Sequence, residues 1–313
     1  MEVRTIILAL WLSVALMFAG GCQRSKGGTN VMGSTSIQPF AEMLSQKFNA
    51  QNPGRHVEVQ GGGSKAGLEG VKNGIADIGM CSRDLKMDDP DESLCDPVTI
   101  AYDGLAIVVH PANPVRKLQR WQIALIFSGD ITNWKEVGGE DRTIHVITRE
   151  EGSGTREAFA KLVMSEGAKD IQKNPGDLGD IGQLQLIANK GRIFRKAVTQ
   201  ESNGAVKELV RNDRATIGYM SLGLVTEESG LAALEVDGVV PTKETVRDGT
   251  YKLKRPFIFA FHKGQVVPAT AREFTEYVLS EAGQQILERE GLTTVPPEDI
   301  KLPWETTTKA TSH

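Results

Sequence analysis

Three short segments combine glycine with hydroxyl side chains where helices could begin. They are Gly33-Ser34-Thr35-Ser36, Gly61-Gly62-Gly63-Ser64 and Gly152-Ser153-Gly154-Thr155. The first turn of a helix has unpaired backbone N–H groups and about half a positive charge, so it attracts phosphate, sulfate or carboxylate. Glycine allows close backbone approach, while Ser and Thr can cap the helix and donate to an anion's oxygens. One such turn could be an ordinary cap, but the three together predict an anion site.

An arginine precedes the third of these turns. Arg149 lies four residues before Ser153, just after the expected strand Ile144 to Ile147. Its planar guanidinium can hold two oxyanion oxygens at once. A surface ion pair with a nearby glutamate such as Glu150 or Glu151 is the alternative. The position of Arg149 alone does not decide between these two roles.

Each turn lies between a strand-like segment and a helix-like segment. In each pair the strand-like segment comes first and the helix-like segment second: Val31 and residues 40–48, residues 56–59 and 68–71, and residues 144–147 and 159–163. Such alternation of period-two and helical patterns favours an α/β fold over an all-helical or all-strand one. The strands and helices would thereby place all three turns at strand ends.

The N-terminus has the pattern of an export signal. The apolar run Ile6 to Phe18 is shorter than the roughly 20 residues that span a bilayer. It is followed by Ala19-Gly20-Gly21 and then Cys22, which resembles the lipobox of bacterial lipoproteins. We predict a signal peptide over residues 1–21, lipidation of Cys22 and a flexible tether over residues 22–28. An ordinary signal peptide with an incidental cysteine is the alternative.

Charge and cysteine content limit the class of partner. The formal net charge is −4, and the absence of a basic block argues against a nucleic-acid partner. Cys81 and Cys95 could form a disulfide in an oxidising compartment or remain two separate buried thiols. Their spacing, without clustered histidines, does not resemble a zinc site, and we expect no metal or other cofactor.

Taken in order and spacing, the glycine-hydroxyl turns and several other segments resemble the phosphate-binding proteins of phosphate ABC transporters. The likeness extends over roughly residues 30 to 295. Its segments are Gly33 to Ile37, Gly61 to Ser64, Ala76-Asp77-Ile78-Gly79 with Ser82-Arg83, Ala101 to Gly104, Ile131 to Trp134, Arg149 to Thr155, Ser202 to Ala205 and Ile217 to Tyr219.

The resemblance implies a type II periplasmic-binding-protein fold, in which two α/β domains are joined by a hinge and hold the ligand in the cleft between them. Domain I would comprise residues 29–104 plus 259–313, and domain II residues 105–258. The chain would cross between them near Asp103 to Val109 and near Arg255 to Phe261. The two domains would close on the anion like a hinged clamp.

The resemblance also implies a set of ligand residues. They are Thr35, Ser36, Ser64, Ser82, Arg149, Ser153, Gly154 and Thr155, with Ser34 and Asp103 as additional candidates. Some family members have an aspartate after the Asp-x-Gly strand that accepts the proton of hydrogen phosphate, whereas this chain has Ser82-Arg83. Ser82, Asp77 or Asp103 could replace that acceptor. Sulfate, molybdate or another tetrahedral oxyanion therefore remains an alternative to phosphate.

The function that the resemblance implies is capture of inorganic phosphate outside the cytoplasmic membrane and delivery to the permease and ATPase subunits of an ABC transporter. We expect a lipid-anchored monomer in the periplasm or on the outer face of that membrane. Gly152-Ser153-Gly154 does not fit a hydrolase nucleophile turn, because Glu151 and Thr155 occupy the glycine positions of that pattern. We therefore expect no enzymatic activity; a phosphate-sensing lipoprotein is a further alternative.

Overall fold

A computed structural model describes residues 28–173 and 192–307 of the chain. The predicted signal peptide, residues 1–21, and the lipidation site Cys22 lie outside the described residues. The predicted tether ends at Gly28, but Gly28 already belongs to the first strand. No helix in the described part of the chain is both long enough and apolar enough to cross a membrane.

The strands form one large mixed sheet and a separate short pair. Their bounds are β1 Gly28–Gly33, β2 His56–Gln60, β3 Ile78–Cys81, β4 Cys95–Val109, β5 Lys117–Leu118, β6 His145–Arg149, β7 Val198–Gln200, β8 Thr216–Ser221, β9 Ala232–Ala233, β10 Glu235–Val236 and β11 Lys254–His262. The large sheet has the order β2-β1-β3-β11-β4-β8-β6-β7, and β9 pairs with β4. The pair is β5 with β10.

The described helices flank the large sheet. Their bounds are α1 Gln38–Gln51, α2 Ser64–Lys72, α3 Arg120–Ser128, α4 Gly154–Phe159, α5 Glu166–Lys173, α6 Asn203–Asn212, α7 Lys243–Arg247, α8 Ala269–Leu279, α9 Glu281–Arg289 and α10 Pro303–Thr307. A π-helical segment, Ala160–Ser165, joins α4 to α5. Short 3-10 helices cover Glu92–Leu94, Trp134–Val137, Leu222–Leu224, Glu227–Ser229 and Pro297–Asp299. The alternation of strands and helices confirms the predicted α/β class.

The long strand β4 joins two lobes of the molecule. Its residues up to Gly104 pair antiparallel with β11, whereas Leu105 to Val109 pair with β8. We call the part built on β2, β1, β3, β11 and Cys95 to Gly104 the first lobe, and the part built on the rest of β4 with β8, β6 and β7 the second lobe. The change of partner at Gly104 is where the chain passes from one lobe to the other.

The predicted domain limits remain a prediction, and the strand register bears on the second of them. Lys254 through Phe257 pair with Gly104 through Ala101, so all of β11 lies in the first lobe. Leu253, immediately before β11, accepts a hydrogen bond from the backbone N–H of Leu105 at 2.7 Å. The register therefore favours a second crossing before Lys254, earlier than residue 258.

Each lobe has its own apolar core. In the first lobe, Phe48 meets Phe274 edge to face with ring centroids 5.5 Å apart. In the second, the rings of Phe159 and Tyr219 stack with centroids 4.1 Å apart. Burial of apolar side chains is the main stabilising term in folding, so two cores give two bodies that can each hold one side of a cleft.

Gly67 in α2 packs directly on the backbone of β1 and β3. A Cβ atom at this position would lie 2.6 Å from Met32 O and 3.0 Å from Met80 O. Gly67→Ala should therefore lower the free energy of unfolding by about 1–3 kcal/mol through overpacking. Thermal unfolding followed by circular dichroism measures this.

The matched control is Gly204→Ala in α6, where a Cβ would have its nearest neighbour, Ser202 Oγ, at 3.7 Å. Alanine also has the higher helix propensity, so this variant should be neutral or slightly stabilised. Equal unfolding midpoints for the two variants would contradict the packing described.

Candidate anion-binding site

The first glycine-hydroxyl turn connects β1 to α1 against the end of β3. Gly33 has a φ of +138°, and a Cβ there would lie 2.4 Å from Met80 O. Ser34 N donates to that same carbonyl at 2.9 Å, and Ser34 Oγ accepts from Ser36 N at 3.2 Å. Ser34 and Ser36 are buried, whereas Thr35 is half-buried. The candidate Ser34 thus holds the turn, and its neighbours Thr35 and Ser36 face the second lobe.

The second turn packs beside the first, because Gly63 N donates to Gly33 O at 2.9 Å. Gly63 occupies the N-cap position of α2 and has no side chain to cap the helix, so Ser64 is not the cap that its sequence position allowed. Ser64 Oγ instead accepts from Ser82 N at 3.1 Å and lies 3.5 Å from Ser82 Oγ. Both serines are fully buried.

The third turn comes from the second lobe and contacts the second turn closely. Ser153 caps α4 by accepting from Arg156 N at 3.3 Å. A Cβ on Gly154 would lie 2.2 Å from Ser64 Oγ and 2.8 Å from Ser82 Oγ. A larger residue at this position would therefore force the two serine side chains or the lobes to move apart.

Hydrogen bonds connect the lobes directly at these turns. Lys65 N donates to Gly152 O at 3.0 Å. Ser36 Oγ and Thr155 Oγ1 lie 2.8 Å apart. The structure thus brings together the three turns that the sequence predicted to share one anion.

Arg149 is the last residue of β6 and is 1% exposed. Its guanidinium donates to both oxygens of Glu150 at 2.9 Å and to Thr35 Oγ1 of the first lobe at 3.1 Å. Within the described residues, its Nη1 atom has no hydrogen-bond partner. The two roles considered from sequence, ion pairing with a glutamate and facing the turns, are therefore both present.

Asn203 and Arg255 also reach the turns, and the sequence reasoning did not assign either as a site residue. Asn203, at the start of α6, donates through Nδ2 to Ser36 Oγ at 3.0 Å and to Thr35 Oγ1 at 3.4 Å. The signal that could have found it is the helix start after Ser202, which caps α6. This capped helix start resembles those of the three turns, but no glycine precedes Ser202.

Arg255 lies opposite Asp103 in the pairing of β11 with β4, and both side chains are buried. Asp103 Oδ2 accepts from Arg255 Nε at 3.0 Å and from Nη2 at 2.8 Å. The remaining Arg255 contacts are with Thr155 Oγ1 at 2.8 Å, Ser36 Oγ at 3.1 Å, and Ser82 O and Oγ at 3.3 and 3.4 Å. The signal in the sequence is the charged residue Arg255 at the start of an otherwise apolar strand. A buried charge needs a partner, so this position indicates a buried ion pair.

Asp103, considered from sequence as a ligand or proton acceptor, has both carboxylate oxygens engaged. Its Oδ1 accepts from Ser221 Oγ at 2.9 Å and from Gly223 N at 3.4 Å, both of them in the second lobe. Burial raises the pKa of the Asp103 carboxyl, and the Arg255 guanidinium acts in the opposite direction. Asp77, the other aspartate considered, accepts from Asn30 N at 2.9 Å, at the start of β3 and away from the turns.

Arg83 points away from the hydroxyl groups of the three turns. Its guanidinium donates to both oxygens of Glu92 at 2.8 and 2.7 Å, and its Nε lies 3.1 Å from Glu157 of the second lobe. Arg83 Nη1 also donates to the backbone carbonyl of Asp84 at 2.7 Å, and the Asp84 carboxylate pairs with Lys161 at 3.0 Å. Arg83 therefore belongs to a set of ion pairs at the rim of the cleft.

The two buried arginines near the turns are each paired with a carboxylate, so positive potential at the turns depends mainly on the helix N-termini. Arg149 is paired with Glu150 and Arg255 with Asp103. The helices α1, α2, α4 and α6 all begin at this cluster, and their unpaired N–H groups and dipoles add positive potential there. An arrangement of hydroxyls, backbone N–H groups and a guanidinium can hold a small oxyanion by hydrogen bonds alone.

The two cysteines lie outside this cluster. Cys81 and Cys95 are free, buried thiols at the end of β3 and the start of β4. Of the two possibilities considered from the sequence, the structure thus has separate thiols and not a disulfide. Burial raises the pKa of Cys95 to about 11. Within residues 28–173 and 192–307, no group of three or more His, Cys, Asp or Glu side chains could hold a metal ion.

Solved structures with the same fold include transport proteins for phosphate. A Clostridium perfringens protein crystallised with bound phosphate is 34% identical, with a TM-score of 0.74, covering 86% of this chain and 100% of that one. An ABC-type phosphate transport receptor from Vibrio cholerae is 33% identical, with a TM-score of 0.65, covering 85% and 100%. These likenesses confirm the predicted periplasmic-binding-protein fold.

Sequence relatives agree with the structural ones. The phosphate-binding protein PstS of Borreliella burgdorferi is 28% identical over 290 residues, which cover 92% of this chain and 97% of that protein. Residues 22–282 match the PBP superfamily domain. Since this match includes the turns, both lobes and the crossing in β4, the chain belongs to the PBP superfamily.

Proposed function

We propose that this protein binds inorganic phosphate outside the cytoplasmic membrane and delivers it to an ABC-type phosphate permease. The observation that carries the proposal is the position of Arg149. Its guanidinium is 1% exposed and donates to Thr35 of the first turn, and its Nη1 has no hydrogen-bond partner among the described residues. A buried donor without a partner is costly, and an anion at this point would satisfy it.

The proposed ligand groups come from both lobes. They are the hydroxyls of Thr35, Ser64, Ser82, Ser153 and Thr155, that of Ser36 acting through Thr155, the backbone N–H groups of the turns including that of Gly154, and the guanidinium of Arg149. Asn203 orients the hydroxyls of Thr35 and Ser36 from the second lobe. A tetrahedral anion has four oxygens that accept hydrogen bonds in different directions, which suits donors arriving from two sides. The relatives named for phosphate binding and transport support phosphate as the ligand.

We infer that the protein performs no chemistry on its ligand. Ser153, the only serine with a nucleophile-like context in the sequence, uses its hydroxyl to cap α4. Three of the described histidines make other contacts: His145 pairs with Asp213 at 2.5 Å, His262 Nδ1 lies 2.7 Å from Lys263 O, and His110 Nδ1 accepts from Ala112 N at 2.9 Å. A serine nucleophile would require a base within hydrogen-bonding distance.

The remaining parts of the proposal concern location and partners. We infer that the mature protein is anchored by lipid on Cys22, is a monomer, and meets the permease and ATPase subunits of the transporter. The apolar run Ile6 to Phe18 followed by Cys22 supports export and anchoring, and relatives named for phosphate binding and transport support the transporter as partner. Delivery requires that the closed form be recognised and then opened at the membrane.

Titration calorimetry of the mature, ligand-stripped chain against phosphate and then sulfate tests the ligand. We expect saturable phosphate binding and a weaker sulfate response. Sulfate binding without phosphate binding would move the function to another oxyanion, and binding of neither would reject the anion site.

Arg149→Ala should lower phosphate affinity by about 100-fold or more, because a buried anion would lose a charge-assisted donor. Calorimetry of the variant measures the loss. Arg142→Ala is the control, since Arg142 lies in the same lobe and pairs with Glu140 at the surface. Equal affinities for the two variants would contradict the assignment of Arg149.

Gly154→Ala should keep the lobes apart, because the added Cβ would meet Ser64 Oγ at 2.2 Å. We expect small-angle X-ray scattering to show no compaction on addition of phosphate, together with weaker binding. Gly204→Ala, at the start of α6, should compact as the wild-type protein does. Normal compaction of Gly154→Ala would show that the contact between the second and third turns is not needed for closure.

A further inference from the structure

We propose that Arg255 is a positioning residue of the anion site, which acts with Ser36 to commit the hydroxyl proton of Thr155 to the bound anion. The inference rests on the proposed function and deepens it. It concerns a residue that would not itself contact the ligand, since its five N–H donors are directed at Asp103, Ser82 and the two hydroxyls.

The first step is the direction of the hydrogen bonds at Ser36. A guanidinium has only donors, so Ser36 Oγ must accept from Arg255 Nη2 at 3.1 Å. The same oxygen accepts from Asn203 Nδ2 at 3.0 Å. A hydroxyl oxygen has two lone pairs, and both are then in use. Ser36 can therefore only donate its own proton.

The second step follows at Thr155. Ser36 Oγ and Thr155 Oγ1 are 2.8 Å apart, and since Ser36 has no lone pair left, Thr155 is the acceptor in that contact. Thr155 Oγ1 also accepts from Arg255 Nη1 at 2.8 Å. Its lone pairs are likewise filled, so its proton is free to be donated to the anion. Hydrogen bonds in such a chain polarise one another, which strengthens the last donor.

The role of Asp103 is to hold the guanidinium in place. It accepts from Nε and Nη2, which leaves Nη1 and the second proton of Nη2 for the hydroxyls. The charged and titratable groups that face Arg255 are Asp103 on β4, Arg149 on β6 and the Cys81 thiol on β3. Of these, only Asp103 contacts the guanidinium by hydrogen bonds.

This arrangement has a consequence for the protonation state of the ligand. The Thr155 hydroxyl, which can then only donate, suits a bare oxyanion oxygen and opposes an oxygen that carries a proton. Binding should therefore weaken as phosphate takes up a further proton at lower pH. Without Arg255, Ser36 and Thr155 regain acceptor lone pairs, and this dependence on pH should become smaller.

The test compares phosphate affinity of the full mature chain and its variants across the second ionisation of phosphate. Arg255→Met should weaken binding about tenfold or more at the high-pH end and flatten the pH profile. Arg255→Lys should recover part of the affinity, because an ammonium still donates. Lys254→Met is the control on the same strand; its ammonium lies over the Tyr102 ring, 4.3 Å from the centroid, and should leave the profile unchanged.

A double variant, Asp103→Asn with Arg255→Met, guards against misfolding, because it leaves no unpaired buried charge and removes the titration of Asp103. It should fold, as judged by circular dichroism, and show the same flattened profile. A wild-type profile in the folded double variant would overturn the role of Arg255 while leaving the proposed function intact. Failure of the wild-type protein to bind any oxyanion would instead overturn the proposed function, and this inference with it.

Discussion

The buried ion pair between Arg255 and Asp103 is the interaction on which the geometry of the site depends. The two residues face each other across β11 and β4 at the point where β4 leaves the first lobe. Taking either charge out of water alone would be strongly unfavourable, so each must be paired and hydrogen-bonded. The remaining donors and acceptors of the pair meet Ser36 on one lobe and Thr155 and Ser221 on the other. The pair therefore connects the crossing in β4 to the candidate binding groups.

Close backbone approach is the second constraint. Gly33, Gly63 and Gly154 stand where a side chain would strike a carbonyl, strain the backbone or meet a hydroxyl. Because glycine has no side chain, the helix starts of both lobes can approach one another closely at these positions. Because the local side-chain charges largely cancel, the affinity for an anion would come from oriented hydrogen bonds and helix ends rather than from net charge.

The rim of the cleft uses a different kind of interaction. Arg83 and Lys86 of the first lobe pair with Glu157, and Asp84 pairs with Lys161. The Asp84–Lys161 pair is largely exposed to solvent, and such pairs contribute little and are screened by salt. The contacts between the lobes in the interior are shielded from water, so salt should screen them less than it screens this rim pair.

The sequence by itself determined the α/β class, the strand-turn-helix positions and the three turns with Arg149, because these depend on local periodicity, glycine and capping chemistry. Only the tertiary structure decided which other residues join them. Arg255 is 100 positions from Thr155 and 219 from Ser36, and Asn203 is 167 from Ser36. The pairing of β11 with β4 places Arg255, and the packing of α6 against the second lobe places Asn203. Such contacts follow from strand register and lobe closure, which no short segment of sequence encodes.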